Sequence, residues 1–169
     1  EFQTGGNLGQ ASFTMDYIIR DSRLGGFGSK AFMQEAVVNR VALTTTLFEE
    51  SFLSVTDQIG TSWALAMVGR SYFEGNAGAI FRRFGQNKFG FTARFVQPIR
   101  NSPFAFTVEG SMNETLVGFG NNGRLQFGLQ MGGWMNPRDY QASNSPVPAD
   151  IPRIRYEVGT RIARDGNSP

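Results

Sequence analysis

Apolar side chains recur at every second position along much of this chain, which is the period of a strand whose two faces meet different surroundings. From 89 to 95, Phe89, Phe91, Ala93 and Phe95 alternate with Gly90, Thr92 and Arg94. From 104 to 112, Phe104, Phe106, Val108, Gly110 and Met112 alternate with Ala105, Thr107, Glu109 and Ser111. Arg100-Asn101-Ser102-Pro103 joins these two runs and reads as a hairpin turn. A third row, Leu125, Phe127, Leu129 and Met131, is opposed by Arg124, Gln126, Gly128 and Gln130. A fourth, Ile154, Tyr156, Val158 and Ile162, is opposed by Arg155, Glu157, Gly159 and Arg161. Near the start, Phe13, Met15, Tyr17 and Ile19 form a fifth row that only Ile18 interrupts.

The stretches between are less regular. Ser62 to Glu74 is expected as one strand, apolar on both faces through Trp63, Leu65 and Met67 on one side and Ala64, Ala66 and Val68 on the other. Residues 29–50 hold no Gly or Pro and fit two templates. Met33, Val37, Val41 and Phe48 suit a helix stripe that Ser29 would cap, whereas Val37, Val41, Leu43 and Leu47 with Thr44-Thr45-Thr46 suit a strand. Gly25-Gly26-Phe27-Gly28, Glu74-Gly75-Asn76, Gly85-Gln86-Asn87 and Gly120-Asn121-Asn122-Gly123 read as turns. Residues 136–152 carry four prolines and no periodicity, so they are expected as one irregular loop. The expected fold is all-β in a single domain spanning 1–169: an antiparallel barrel of about eight strands, with a β-sandwich, or a barrel bearing one helix at 29–50, as alternatives.

Composition narrows the function. At 169 residues the chain has one domain's length, with no Cys and no His, which removes disulfides, thiol chemistry, Ser-His and Cys-His nucleophile pairs and nearly all zinc or haem sites. No enzyme activity, metal or cofactor is expected. Glu49-Glu50 and the Asp16, Asp21 pair are the close carboxylates, and on a strand Glu49 and Glu50 point to opposite faces, so both pairs read as solvated charge. The basic residues are Arg almost throughout, Lys30 and Lys88 being the two lysines, and they are scattered, so no nucleic-acid partner is expected. Asn87 to Phe95 approaches the RNA-recognition strand pattern but puts Lys88, Thr92 and Arg94 where that pattern needs Gly, an aliphatic and an aromatic residue. Phe81-Arg82-Arg83-Phe84 reads as a strand end with snorkelling arginines, and Asn113-Glu114-Thr115 as an incidental glycosylation sequon. The chain opens Glu1-Phe2-Gln3, as a processed form or a cloning remnant would.

The most distinctive constellation is charge on the weaker strand faces: Arg94, Glu109, Arg124, Glu157 and Arg161. Opposite them lies an aromatic face of Phe89, Phe91, Phe95, Phe104, Phe106, Phe127 and Tyr156. In its alternating strands, scarce Lys, abundant Gly and Asn in turns and overall size, the chain resembles the small bacterial outer-membrane β-barrels of eight strands. That resemblance implies that the apolar face meets a lipid bilayer and that the charges fill a lumen, in a structural or narrow-pore protein of the bacterial outer membrane. Two other readings stand beside it. One is a soluble secreted barrel holding a hydrophobic small molecule, and the other is a sandwich subunit of a coat or filament, buried against copies of itself. An enclosed charge set makes the removal of Glu109 costly, about 3–5 kcal/mol, and a solvated one makes it cheap, about 0–1 kcal/mol.

Overall fold

The computed structural model describes residues 5–33, 35–118, 120–132, 136–142 and 153–164. The described residues are all-β, with eleven strands among them: β1 (Gly9–Ile19), β2 (Ser22–Met33), β3 (Glu35–Ala42), β4 (Leu47–Val55), β5 (Asp57–Ala66), β6 (Tyr72–Phe81), β7 (Lys88–Pro98), β8 (Phe104–Met112), β9 (Thr115–Val117), β10 (Gly123–Met131) and β11 (Tyr156–Arg164). They divide into a seven-stranded sheet in the order β1-β2-β5-β6-β7-β8-β10 and a four-stranded sheet in the order β3-β4-β11-β9. Every pairing is antiparallel except β11 with β9. The described strands do not close a barrel, since β1 and β10 are both free edges of the larger sheet.

Residues 29–50 take the strand template, running through the end of β2, then β3 and into β4; the helix alternative is overturned. Here the β-branched residues pair across strands, Val37 opposite Phe52 and Val41 opposite Glu49, and tertiary pairing outweighs a helical stripe with no partner. The single strand expected over 62–74 is two strands. β5 stops at Ala66, Gly69 turns the chain at φ 75°, and β6 restarts at Tyr72. Two glycine clusters expected as turns lie inside strands, Gly25 to Gly28 in β2 and Gly75 in β6.

Those glycines shape the sheet. A Cβ on Gly60 of β5 would sit 2.2 Å from the Ala77 carbonyl oxygen, and one on Gly78 of β6 would sit 2.3 Å from that of Ile59. Gly60 and Gly78 are cross-strand partners, so the two backbones come together more closely than any pair of side-chain-bearing residues allows. Gly90 continues the row on β7, opposite Gly78, where a Cβ would meet Ile80 Cδ1 at 2.6 Å and the Arg155 guanidinium at 2.9 Å.

The two ends of the larger sheet differ. One has short connections at 20–21, 67–71 and 99–103, with Arg20 at φ 42° and Asn101 at φ 56° making the tight bends. The other has the longer connections 82–87 and 113–122 and the arm of β3 and β4, which prolongs β2 and β5 beyond the sheet. After β10 the chain makes one 3-10 turn, Pro137–Asp139, capped by the Asn136 side chain. That turn lies at the short-turn end, where Asn136 donates to the Arg70 carbonyl (2.6 Å) and Arg138 to that of Met67 (2.8 Å). Of the irregular loop expected at 136–152, residues 143–152 fall outside the described part; Asn136, Pro137 and Tyr140 are buried rather than loose.

Candidate functional site: an exposed apolar face and a buried charge network

Register places one face of the seven-stranded sheet as a continuous apolar surface. Reading across partners, Tyr17, Leu24, Trp63 and Gly75 lie in one row, and Phe95, Val108 and Phe127 in another. Strict alternation carries Phe89, Phe91, Phe95, Phe104 and Phe106 to this same face. Much of it is open: Phe13 is 69 % exposed, Tyr17 73 %, Phe127 68 % and Met131 72 %. Phe106 and Phe127 stack at 6.4 Å between ring centroids.

The other face is polar and largely covered. Ser29, Gln58, Ser62, Asn76, Thr92 and Ser111 lie on β2, β5, β6, β7 and β8 and are all buried. Among the described residues, buried polar and charged side chains outnumber buried apolar ones, and the contiguous apolar cluster is small: Tyr72, Val96 and Ala105. This inverts the usual distribution. The cover comes from the chain after β10. At the short-turn end Tyr140 lies against Arg23 at 6.0 Å. At the long-loop end Gln58 donates to the Arg153 carbonyl (3.0 Å) and Thr56 to that of Arg155 (3.1 Å).

Arg94, Glu109 and Arg124 lie on this polar face, but their pairing is richer than alternation alone foretells. Arg94 and Glu109 are opposite each other in register, yet Arg94 Nε donates to Glu74 at 2.7 Å. Glu109 accepts from Arg124 (3.2 Å) and from Arg153 (2.6 Å), and Glu114 takes the same two arginines at 2.9 Å each. Glu74 escapes a sequence reading because Glu74-Gly75-Asn76 looks like a turn; Glu114 and Arg153 lie outside the alternating runs.

Tyr156, Glu157 and Arg161 do not share surfaces with the others, as one continuous apolar face and one charged face would require. They lie on β11 in the smaller sheet, because the chain crosses to pair with β4. Arg161 bonds Glu50 (3.0 Å) and Glu35 (2.6 Å), and Arg40 also reaches Glu50 (3.2 Å). Glu49 and Glu50 do point to opposite faces, but Glu50 is buried in this network rather than solvated. Glu157 is buried against Arg82 at 2.6 Å, with side chains 1 % and 4 % exposed. Arg82 is therefore an enclosed ion-pair member and not a snorkelling strand end. Asn113, the sequon residue, is buried at φ 59° with its amide donating to the Phe89 carbonyl (2.7 Å), so in the fold it serves as a turn residue.

Arg155 is the unusual cation. It is fully buried; Nη1 donates to Gln58, Nη2 reaches Asn76 at 3.5 Å, and Nε has no hydrogen-bond partner. Burial lowers its pKa, opposed by the field of Glu114. The Arg155 guanidinium and Ile80 Cδ1 together fill the space beside Gly90 that a side chain there would take.

Glu109 tests how enclosed the polar face is. Its side chain is 14 % exposed, but its partners Arg124 and Arg153 are 45 % and 40 % exposed. Glu109→Ala is therefore expected to lose about 1–2 kcal/mol in urea unfolding, between a solvated pair and a sealed one, with roughly half of that loss removed by 1 M salt.

Nothing in this geometry points to catalysis, and among the described residues no group of His, Cys, Asp or Glu is placed to hold a metal ion. No helix among them is long and apolar enough to cross a membrane, a statement that leaves strand-spanning proteins untouched. The architecture defines an antiparallel all-β protein with an inverted sheet. Compared with known proteins, the chain matches no family model, no curated sequence and no solved structure.

Proposed function

We propose that the seven-stranded sheet is the wall of an outer-membrane β-barrel, with the Phe13, Phe106 and Phe127 face against lipid and the polar face turned to an interior that the chain itself fills. The observation that carries this reading is the inversion: large apolar side chains are exposed across the sheet, while Ser, Gln, Asn, Arg and Glu are buried. Exposing such a face to water over seven strands is unfavourable, whereas hydrocarbon takes it without cost. The strands of this sheet run from 9 to 12 residues, the length that spans a bilayer at a tilt. Short turns at one end and long connections at the other suit a barrel with opposite sides of different character. Tyr140 and Arg153–Arg155 rest on the interior face, so the protein acts as a sealed structural barrel or a very narrow pore. A secreted barrel with a hydrophobic ligand is less favoured, because the apolar side chains point away from the covered face.

Vesicle flotation tests the proposal. Refolded chain is expected to float with phosphatidylcholine vesicles and to resist alkaline extraction; a soluble monomer without detergent overturns the reading, and a large soluble particle replaces it with the assembling subunit. One substitution reports the same difference energetically. Phe127→Arg, at the middle of β10, is expected to cost about 2–4 kcal/mol if it faces hydrocarbon, against about 0.5 kcal/mol or less on a water-exposed surface, as read by urea titration in vesicles.

A further inference from the structure

We infer that the short-turn end of the seven-stranded sheet binds the headgroups of anionic phospholipid through Arg20, Arg70 and Arg100. The inference rests on the membrane-wall reading above and adds the class of lipid that the wall meets at that end. The three arginines lie in the connections 20–21, 67–71 and 99–103, and all are exposed. Register sets these connections side by side: Ile19 pairs with Ser22, Ser22 with Leu65, Ala66 with Tyr72 and Pro98 with Ala105. Among the described residues, none of the three is ion-paired. Exposure does not account for that, because Arg83, Arg124, Arg153 and Arg161, between 35 % and 50 % exposed, all hold carboxylates. Arg164 also lacks an acid, but it sits opposite Leu47 at the tip of the arm, away from this end. Two described carboxylates, Asp21 and Asp139, stand at the short-turn end against four exposed arginines, and Asp21 is already shared with the fourth, Arg138, at 3.9 Å. The end therefore keeps an excess of positive charge.

What selects lipid over other anions is the apolar neighbour that each arginine has. Ile19, Met67 and Ile99 continue the apolar rows of β1, β5 and β7 to their last position and are 44 %, 46 % and 44 % exposed, and Val68 beside Met67 is 92 % exposed. Each short turn thus sets a bare aliphatic side chain one to three residues before an unpaired guanidinium. Acyl chains cover the first while the second reaches out along its flexible stem to the headgroup layer. There a guanidinium donates two parallel N–H groups to a phosphate, and a headgroup of net negative charge adds the attraction that a zwitterionic one lacks. A soluble anion or an acidic peptide satisfies the charge and leaves the aliphatic side chains in water. Between the second and third turns lies an open hollow of about 810 Å³, lined by Arg70 and Arg100 together with Ile99, Pro103 and Gly132, a volume that takes a small ligand.

The test titrates full-length chain in non-ionic detergent micelles with dihexanoylphosphatidylglycerol, dihexanoylphosphatidylcholine, glycerol 3-phosphate and hexaglutamate, followed by amide chemical shifts. Phosphatidylglycerol is expected to move the amides of the three short turns more than those of the 82–87 and 113–122 connections, and to bind at least about tenfold more tightly than phosphatidylcholine. Arg20→Gln, Arg70→Gln and Arg100→Gln are each expected to weaken it by up to about fivefold, and the triple variant or 0.5 M salt, roughly, to remove the preference. Because these side chains hold no carboxylate in the fold, the triple variant should unfold at the same urea concentration as wild type in phosphatidylcholine vesicles, which separates lost binding from lost structure. Equal affinity for the two lipids, a preference that survives the triple variant, or shifts centred on the long connections overturn the inference. Glycerol 3-phosphate or hexaglutamate binding as tightly as phosphatidylglycerol also overturns it, in favour of a site for free phosphate or for an acidic protein segment. Flotation on phosphatidylcholine contains no anionic lipid and decides the membrane reading separately: a chain that floats without the preference loses this inference alone, and a chain that does not float loses both.

Discussion

Glu157→Ala is expected to lose about 3–5 kcal/mol of unfolding free energy, the largest effect of any single charge removal in the protein. The carboxylate is 1 % exposed and meets Arg82 through Nη2 at 2.6 Å and Nε at 2.8 Å. It also accepts the backbone N–H groups of Arg83 (3.2 Å) and Phe84 (3.3 Å), which hold the 82–87 connection over β11. Truncation leaves a guanidinium 4 % exposed and without its carboxylate, together with two backbone donors that lose their acceptor. Because the site is closed to solvent, salt should change the loss little. The double variant Arg82→Met with Glu157→Leu should recover most of it, since a pair of apolar side chains leaves no uncompensated charge. Urea unfolding of the three variants beside wild type, in one detergent, measures this, and a single-variant loss below about 1 kcal/mol would show that the pair is solvated.

Gly78→Val is expected to abolish folding or to cost at least about 3 kcal/mol, and Gly60→Val likewise. A Cβ at Gly78 lies 2.3 Å from the Ile59 carbonyl oxygen and 2.8 Å from Gly60 Cα. Both obstacles are backbone, so no side-chain rotation relieves them, and β5 and β6 must separate where ten paired residues hold them together. Overpacking that a core absorbs by shifting side chains costs about 1–3 kcal/mol, and this site has none to shift. Gly110→Ala is the control: its nearest neighbour is Leu125 Cδ1 at 3.9 Å, so it should stay within about 0.5 kcal/mol of wild type. Limited proteolysis and circular dichroism of the three variants separate a lost sheet from a tolerated methyl. A folded Gly78→Val protein of wild-type stability would mean that the β5 and β6 backbones stand further apart than described.

Legibility along the chain followed how local the determining physics was. β1, β7, β8 and β10 are readable because apolar and polar residues alternate along each, a pattern carried by the residues themselves whatever later covers either face. β2 is hidden because its glycines, Gly25, Gly26 and Gly28, resemble a turn; Gly25 is in fact pressed against Asp16 of β1, where a Cβ would sit 2.7 Å from the Met15 carbonyl oxygen. The break between β5 and β6 is hidden because Ala64, Ala66, Met67 and Val68 offer no polar interruption before Gly69. Charge types were legible and charge partners were not: Arg94 could be placed on a polar face, but its bond to Glu74 depends on β6 lying beside β7 in a particular register.

By itself the sequence determined an all-β chain, the strict division of most strands into an aromatic side and a polar side, and the lack of the residues most catalytic chemistry needs. Each of these is a property of neighbouring positions or of composition, fixed before any long-range contact forms. Tertiary structure alone decided that the polar side is the covered one, that β11 leaves its companions to pair with β4, and that Arg155 is enclosed above Gly90. Those outcomes depend on which segments meet across the whole chain, Arg155 with Gln58 and Asn76, and alternation with period two is blind to which of its two faces the rest of the chain will cover.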